Sequence, residues 1–544
     1  MQNGKQKIIV TSALPYAHAL PHLGNFIGSI LPADAYYKYL TMEDEDAIFI
    51  CGSDQHGTPI ELRAIKEGVP PGQLADSVHE RIKSMLAAYG CTPTYYGKTH
   101  TEQNKQSVYE LYHALKKNGY ITEVHDKQAY CRYDKRFLVD RDIEGTCPFC
   151  GGKKARGDQC DDCGRLLDPI MIIDPHCNIC GRSEIEFRDV KNLAISLDKL
   201  QGRIEAYVNS ASQNGWSKNA TNKTLTFLKE GLKPRDITRS MKWGFPVPEK
   251  GFEDSVFYVW FDAVIGYIGI TREWSESKWK EYWMSSSTKL IQFMGKDNIE
   301  FHTMMFPGIL LGADMGYILP YSIRASEFLN SRSVKFSKSR GIGLNMESAL
   351  TVLGAEYWRF ILMYLYPESA DVEFSVDAVK EIVNSVMNDK IGNLVHRVLT
   401  LCWSNSILNG IATSTDEKVE KIVEGYRLNF SQQHIREALG NVVELASYGN
   451  ELISSSEPWK MIKDEGKHAE AKRVMSLLAG VVRAVGILLY PFCPESSSKV
   501  LEAFGSGPKL SSIFEEVPLS IKSQPKPLFS KFEKEDEEKL SSFS

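Results

Sequence analysis

The order of strand-like and helix-like segments in the first 119 residues restricts the fold more than any other feature. A β-branched run, Lys7–Ser12, leads through a loop into a helical pattern from Gly24 to Leu40, and the apolar run Ala47–Asp54 precedes three further helical segments. This alternation predicts a parallel sheet with crossover helices. The pattern stops near Tyr120 and returns near Trp243. We therefore expect one α/β domain in two halves, with an insertion between them.

The loops that follow the first two predicted strands carry candidate site residues. In parallel sheets, ligands bind beyond the carboxyl ends of the strands, where the loop Ser12–Asn25 and Asp54 fall. The first loop runs into a helix N-terminus, which favours an anion. His22 can donate a hydrogen bond to such an anion, and Gly24 has no side chain to block it. A capping loop with a satisfied histidine would have the same sequence, so the residues alone leave both readings open.

Charge and hydropathy exclude some functions. The chain has 64 Lys+Arg and 69 Asp+Glu, a formal net charge of −5, so a polyanionic partner must meet a local basic face. The segment Val334–Gly341 combines lysines, serines and an arginine, which suits a polyphosphate or a solvated turn equally. In the apolar segment Val474–Tyr490, Arg483 would cost about 2.5–3.5 kcal/mol inside a bilayer. We therefore expect a buried bundle helix there and no membrane span.

Six of the 11 cysteines form three Cys-x-x-Cys pairs between residues 147 and 180. Because no apolar signal core precedes them, the pattern predicts metal thiolates in a cytoplasmic protein rather than disulfides. The first two pairs predict one tetrahedral zinc site with the ligands Cys147, Cys150, Cys160 and Cys163. The third pair lacks an obvious partner pair; Cys131 with either Asp134 or His176 would complete a second site with Cys177 and Cys180. Whether a second zinc is bound stays open.

Two further regions have distinct patterns. The aromatic-rich run Ser255–Gly269 reads as a strand that becomes a helix near Asp262, and its aromatic residues suit either the core or an apolar pocket. Beyond Phe374 the pattern is helical, which predicts a helix bundle. The segment Gly505–Ser544 is rich in Lys, Glu, Ser and Pro and predicts an extended or partly disordered tail.

Together these motifs resemble the class I aminoacyl-tRNA synthetases. The first signature of that class is matched by Pro21–Asn25 and the second by Lys335–Ser339. Ala13–Tyr16, Tyr258–Ala263 and the pair Phe301-His302 resemble the methionine-specific branch. Asn25 and Phe336 replace a common histidine and a common methionine, and both resemble the eukaryotic and archaeal variants. The resemblance covers nearly the whole chain up to the tail.

The resemblance implies a division of the chain into six segments. We expect residues 1–119 and 241–325 to form the two halves of a Rossmann-like catalytic domain, 120–240 a zinc-binding connective insertion, 326–373 the second signature loop with a region that contacts the tRNA stem, 374–504 a helical anticodon-binding domain, and 505–544 a C-terminal tail.

The resemblance also implies a reaction: ATP activates methionine to methionyl adenylate, and the methionyl group is then transferred to the 3′ end of tRNA(Met). Implied catalytic residues are His22, Asn25, Asp54, Arg239, Lys335 and Lys338. Implied ATP-binding residues are His22, Gly24, Asn25, Gly295, Asp297, Lys335, Ser337 and Lys338. Implied methionine-binding residues are Ala13, Leu14, Tyr16, Asp54, Trp260, Ala263, Val264, Tyr267, Phe301 and His302.

For the helical domain, the resemblance implies anticodon contacts by Asn393, Arg397 and Trp459. The implied cofactors are structural Zn²⁺, one ion with a second left open, and Mg²⁺ with ATP. The implied partners are ATP, L-methionine and both initiator and elongator tRNA(Met), and a multi-synthetase or accessory tRNA-binding partner stays open. Two alternatives remain: another class I synthetase, and a catalytically inactive synthetase-like RNA-binding protein.

Overall fold

A computed structural model of the chain describes residues 5–138, 142–157, 160, 167–331, 334–335 and 344–543. At residues 126, 331, 334 and 335 the backbone alone is described.

The first α/β half begins with a strand, a loop and a long helix, as predicted. Its elements are β1 (Lys7–Ser12), α1 (Leu23–Asn25), α2 (Leu31–Met42), β2 (Asp46–Ser53), α3 (Thr58–Glu67), α4 (Pro71–Ala88), β3 (Tyr95–Lys98) and α5 (Glu102–Lys117). A π-helical turn, Phe26–Ile30, joins α1 to α2, so the chain stays helical from Leu23 to Met42. Pro32 does not break this helix because it lies in the first turn of α2, where a missing N–H is tolerated.

The insertion is built on a long antiparallel ribbon. Its elements are β4 (Ile121–Cys131), β5 (Arg136–Phe137), β6 (Ile143–Thr146), β7 (Ala155–Arg156), β8 (Ile173–Cys177), β9 (Ile185–Ile195), α6 (Leu197–Ala211), α7 (Lys218–Glu230) and β10 (Arg235–Asp236). β4 pairs with β9 from Ile121 opposite Ile195 to Cys131 opposite Ile185. The described cysteines of the Cys-x-x-Cys pairs lie beyond this second end. In contrast, α7 packs on the main sheet, where Ser217 N donates to Ile323 O at 2.9 Å.

The second α/β half completes the sheet. Its elements are β11 (Thr238–Arg239), β12 (Val256–Phe257), α8 (Val259–Trp274), α9 (Trp279–Trp283), β13 (Lys289–Gly295), α10 (Phe306–Ala313), β14 (Pro320–Ser326), β15 (Leu329–Ser331) and β16 (Val334–Lys335). Helix α8 begins at Val259, earlier than the change expected near Asp262, so Trp260 and Asp262 both lie in its first turn. The β-branched and aromatic residues of this run favour a strand locally, but burial as a helix on the sheet overrides that preference.

The central sheet has five parallel strands in the order β14–β13–β1–β2–β3. Alternate residues of β1 face opposite cores: Ile8 and Val10 pack with α2 and the C-terminal helices, whereas Ile9 packs with α5 and α8. Because all five strands run in one direction, the loop after β1, Asp54 and the Gly295 turn lie at the same edge. This arrangement confirms the predicted parallel sheet in two halves.

The remaining elements form the C-terminal bundle. They are α11 (Met346–Leu350), α12 (Ala355–Tyr364), β17 (Val372–Phe374), α13 (Val376–Glu381), α14 (Asn393–Ser404), α15 (Glu417–Ser431), α16 (Ile435–Ser456), α17 (Pro458–Met461), α18 (His468–Leu489), α19 (Pro494–Leu501) and α20 (Lys534–Ser541). The bundle confirms the predicted helical region. Within this helical region, Gln433 separates α15 from α16, because its φ of 56° interrupts the helix.

Helix α18 is the apolar segment that contains Arg483. The guanidinium is buried, and its Nη1 donates to Ser512 O at 2.8 Å and Glu515 O at 3.1 Å. Among the described residues, no helix is long and apolar enough to cross a membrane. The C-terminal segment that supplies these carbonyls was expected to be extended or partly disordered; it contains a 3₁₀ turn at Leu510–Phe514 and α20, and it packs on the bundle through buried Phe529 and Phe532.

Candidate active site

The loop after β1 ends in a capped helix start. His22 is the N-cap of α1, and its Nδ1 accepts a hydrogen bond from Asn25 N at 3.0 Å. Because Nδ1 accepts, the neutral ring carries its proton on Nε2. His22 is buried, whereas Asn25 is exposed and Gly24 is intermediate between them. The capping arrangement that the sequence allowed is therefore present, with the ring proton of His22 on Nε2.

Asp54 lies directly beyond β2 and is 2% exposed. Its backbone bridges the first loop, since Asp54 N donates to Pro15 O at 2.9 Å and Ala17 N donates to Asp54 O at 2.7 Å. Burial, and then the negative charge of Asp262, raise the pKa of Asp54 well above its usual value. The sheet thus places one buried carboxyl group beside the segment Ala13–Tyr16 of the first loop.

Tyr267 of α8 and His302 form a neutral hydrogen-bonded pair. His302 Nδ1 contacts the carbonyl oxygen of Asn298 at 2.9 Å, so Nδ1 carries the ring proton, and Nε2 accepts from Tyr267 Oη at 2.8 Å. Burial lowers the pKa of His302 to about 4, so the ring is neutral at pH 7. The pair can hold an apolar or sulfur-containing side chain without placing a charge beside it.

Three further aromatic rings contact one another between the first loop, α8 and Phe301. Trp260 stacks on Phe301 with ring centroids 3.8 Å apart, and Tyr16 meets Trp260 edge-on at 6.0 Å. Gly266 of α8 lets Thr99 approach, since a Cβ at Gly266 would lie 2.9 Å from Thr99 Cγ2, and Leu14 Cδ1 lies at ordinary contact distance, 3.5 Å, from the same point. Two remaining predicted residues, Ala263 and Val264, are buried in the first turns of α8. Direct ring contacts therefore connect Tyr16 of the first loop with Trp260 of α8, and Trp260 with Phe301.

The strand β13 ends at the predicted nucleotide side. Gly295 is its last residue, and a Cβ there would lie 2.8 Å from Asp297 Oδ1, so the turn is tight. Sequence reasoning passed over Lys296, whose Nζ contacts Glu327 at 2.6 Å and Asp371 at 2.7 Å. These contacts tie the turn to the chain on both sides of the second signature loop.

Of that loop, Ser337 and Lys338 lie outside the described residues. The backbone of Lys335 is described, in β16, where it pairs with Asn330 of β15. Arg239 lies in β11, forms an ion pair with Asp236, and has its guanidinium 4.5 Å from the centre of the Tyr258 ring. Because Tyr258 caps α8, Arg239 is adjacent to the start of the Trp260 helix.

Two metal-ligand clusters lie in the insertion. Cys131, Asp134, Cys177 and Cys180 present one ligand atom each within 4.8 Å of one another. Cys131 Sγ lies 3.7 Å from Cys180 Sγ, and Asp134 Oδ2 lies 3.1 Å from Cys177 Sγ. Tetrahedral zinc with bonds of about 2.3 Å to sulfur separates two thiolates by about 3.8 Å, so this donor set fits the ion.

The other cluster contains the remaining described cysteines of the insertion. Cys147, Cys150 and Cys160 converge in the same way, with Cys150 Sγ 3.7 Å from Cys160 Sγ. The fourth predicted ligand, Cys163, lies outside the described residues. The three thiol groups have the spacing and chemistry that zinc requires.

In the bundle, the predicted anticodon residues Asn393, Arg397 and Trp459 are all at least partly accessible. Arg397 lies with its guanidinium 5.8 Å from the centre of the Trp459 ring. Asn393 is one helical turn before Arg397 on α14 and is exposed. Trp459, at the start of α17, is half-buried against the core, so one part of its ring packs and the rest remains accessible.

Three residues beside Asp54 were missed by the sequence reasoning. His56 and Asp262 are both buried and contact each other through Nδ1 and Oδ2, and His56 Nε2 lies 2.8 Å from His100 Nδ1. His56 and His100 pack against Trp243. The Asp-x-His spacing after β2 was the one available signal, because Asp262 and His100 are distant in the sequence and only the fold brings them together.

Two family models match the chain. The model described as tRNA synthetases class I (M) matches residues 8–399, and the anticodon binding domain of methionyl tRNA ligase matches residues 410–542. Curated relatives named methionine–tRNA ligase, from Caldivirga maquilingensis and Thermofilum pendens, are each 39% identical over 98% of this chain. The alignments cover 93% and 96% of those relatives.

A solved structure with a similar fold is Mycobacterium tuberculosis methionyl-tRNA synthetase in complex with methionyl-adenylate. The match has a TM-score of 0.80 at 23% identity and covers 97% of this chain and 100% of that chain. At this identity the likeness shows a common fold.

Proposed function

Because the chain belongs to the methionyl-tRNA synthetase family of class I aminoacyl-tRNA synthetases, we propose that it is a methionine–tRNA ligase. The methionine carboxylate oxygen attacks the α-phosphorus of ATP, the bond to the β-phosphate oxygen breaks, and pyrophosphate leaves. A ribose hydroxyl at the 3′ end of tRNA(Met) then attacks the adenylate carbonyl, and AMP leaves. The observation that carries this proposal is the set of neutral aromatic side chains, Tyr267 with His302 and Trp260 with Phe301, that contact Tyr16 beside the buried carboxyl group of Asp54 or each other.

The pocket residues divide the recognition of methionine between shape and charge. Asp54 receives the substrate ammonium, and Trp260, Tyr267 and His302 surround the thioether, which has no strong polar group. The neutral His302–Tyr267 pair supports this role, since its donor and acceptor are satisfied by each other and by Asn298. Shape of this kind discriminates by about 1–3 kcal/mol per methylene, so homocysteine is activated to some extent.

At the phosphate end, no protein nucleophile is required. His22 donates from Nε2 to a phosphate oxygen, and the N–H groups at the start of the helix and Asn25 add donors. Lys335 and Lys338 neutralise the β- and γ-phosphates and Ser337 donates a hydrogen bond from its hydroxyl, while Asp297 and Gly295 contact ATP beside them. Mg²⁺ with ATP supplies further positive charge. Catalysis then consists of positioning and stabilisation of charge on the expanded phosphorus, with Arg239 contributing.

Two zinc ions stabilise the insertion in this proposal. Cys147, Cys150, Cys160 and Cys163 hold one, and Cys131, Asp134, Cys177 and Cys180 hold the other. The complete convergence of the second set supports it, and it favours Asp134 over His176 as the fourth ligand. Zinc at these positions supplies folding energy to a ribbon tip that has a small apolar core of its own.

In the bundle, Trp459 stacks on an unpaired anticodon base, while Asn393 and Arg397 donate to base edges. The cytoplasmic location and an accessory or multi-synthetase partner stay predictions from the sequence.

The test is aminoacylation of tRNA(Met) transcripts with labelled methionine. We expect charging that requires ATP and methionine together. An inactive RNA-binding protein would retain the tRNA in a gel without charging it, and a synthetase of another specificity would charge a different tRNA; either result contradicts the proposal.

A further inference from the structure

Two buried carboxyl groups meet at the methionine site. Asp54 is 2% exposed and Asp262 is 0% exposed; burial, and then the charge of Asp262, raise the pKa of Asp54, and burial raises the pKa of Asp262 as well. Among the described residues, neither carboxylate forms an ion pair with a lysine or arginine; the partner of Asp262 is His56. Two neighbouring carboxylates in an apolar surrounding cannot both remain ionised without positive charge nearby.

His56 lies between the two carboxyl groups and contacts both. Its backbone N–H donates to Asp54 Oδ1 at 3.1 Å, and its ring Nδ1 contacts Asp262 Oδ2. The ring is 1% exposed and packs edge-on against Trp243 and Phe245, so it has little freedom to turn away. Any positive charge on this ring is therefore held beside both acids.

The other ring nitrogen of His56 also has a partner. Nε2 lies 2.8 Å from His100 Nδ1, and burial followed by the charge of His56 lowers the pKa of His100 to about 4. A neutral His100 can accept at Nδ1, so His56 can donate from both nitrogens as an imidazolium. Asp76, Lys98 and Glu102 are the further charged groups around His100.

We propose that His56 is a positioning residue whose imidazolium, anchored by Asp262, keeps Asp54 ionised for the substrate ammonium. This inference rests on the proposed function. With methionine bound, the imidazolium and the ammonium balance the two carboxylates, so the substrate completes a neutral buried cluster. The N-terminus of α8 further favours the ionised form of Asp262, which lies in its first turn.

The experiment compares methionine with its α-hydroxy analogue, which lacks the ammonium. The KM for methionine is measured by ATP–pyrophosphate exchange at pH 7, and the analogue is measured as a competitive inhibitor. We expect His56→Gln to raise the KM for methionine by about tenfold, which is the effect of placing the pKa of Asp54 one unit above the assay pH. The inhibition constant of the analogue should change by less than about twofold. The defect should shrink as the pH rises from 6.5 to 8.5, because Asp54 then ionises without help.

A second substitution separates charge from structure. Adding Asp262→Asn to His56→Gln removes the repelling carboxylate, so the KM for methionine should return to within about threefold of the parent value. His79→Gln is the matched control, since His79 is also buried near the end of β2 but bonds Ser53 Oγ at 2.8 Å. If His56→Gln does not yield folded enzyme, His56→Asn tests the same charge.

Asp54→Asn separates the proposed role of Asp54, binding the substrate ammonium, from the proposed role of His56. If it weakens methionine but spares the analogue, the role of Asp54 stands. An equal loss for methionine and the analogue in His56→Gln, or a double variant no better than the single one, would then overturn the role of His56 alone. An equal loss for both ligands in Asp54→Asn would overturn the proposed function of Asp54 itself.

Discussion

Asp34 is the counter-ion of two buried cations, and its replacement should destabilise the protein more than replacement of Lys38. Its carboxylate contacts Lys38 Nζ and Arg359 Nη1, each at 2.8 Å, and all three side chains are at most 3% exposed. Arg359 also donates to Phe492 O and Pro491 O, so the cluster joins the helix after the signature loop to the bundle. Burial opposes ionisation of Asp34, but the two cations outweigh it and lower its pKa.

The charges determine the size of each effect. Asp34→Asn leaves two buried cations without a counter-ion, and breaking a buried pair costs about 3–5 kcal/mol. Lys38 can relieve this by losing its proton, whereas Arg359 cannot. Lys38→Met instead leaves Asp34 paired with Arg359, so the buried pair has no net charge. It removes the hydrogen bonds of Lys38 to Gly90 O and Thr92 Oγ1, which should lower the free energy of unfolding by about 1–2 kcal/mol.

The assay is urea unfolding of the parent and both variants, followed by tryptophan fluorescence at pH 7. Because the pKa of folded Asp34 lies below its ordinary value of 3.8, its contribution is present above that value and is lost as the pH falls through the folded pKa. The difference between the parent and Asp34→Asn should therefore narrow below about pH 4. A loss in Lys38→Met as large as that in Asp34→Asn would refute the reasoning.

Three further predictions concern the proposed sites. Trp459→Ala should reduce charging of tRNA(Met) at least about tenfold and leave ATP–pyrophosphate exchange unchanged, with the exposed Trp403→Ala as control; equal loss of both activities would contradict base stacking. Metal analysis should find two zinc ions per chain and one in Cys177→Ser; one ion in both would rule out the second site. Tyr267→Phe leaves His302 Nε2 without its donor, so kcat/KM for methionine in exchange should fall, with a rise of about 1–3 kcal/mol in the activation free energy. An unchanged kcat/KM would show that the pair takes no part in methionine recognition.

The sequence predicted what depends on local pattern. The strand Lys7–Ser12, the long helix after it and the bundle helix containing Arg483 were all indicated by periodicity and appear as expected. The cysteine spacing likewise anticipated the metal-ligand clusters, because ligands three residues apart turn toward the same ion.

What the sequence could not provide are relations between distant segments. Nothing near His56 points to Asp262 or His100, since contact between them requires β2, β3 and α8 to be assembled first. The start of α8 was placed too late because its residues favour a strand locally, and the division at Gln433 depends on a backbone conformation that no local residue type demands. Lys296 was missed because its partners, Glu327 and Asp371, lie beyond the next strand.

The most direct measurement is ATP–pyrophosphate exchange with each of the twenty amino acids in turn. A neutral aromatic pocket beside an ionised Asp54 predicts strong exchange with methionine and near-background exchange with the other nineteen. Exchange driven better by another amino acid, or no exchange with any of them, would contradict the assignment of this site to methionine activation.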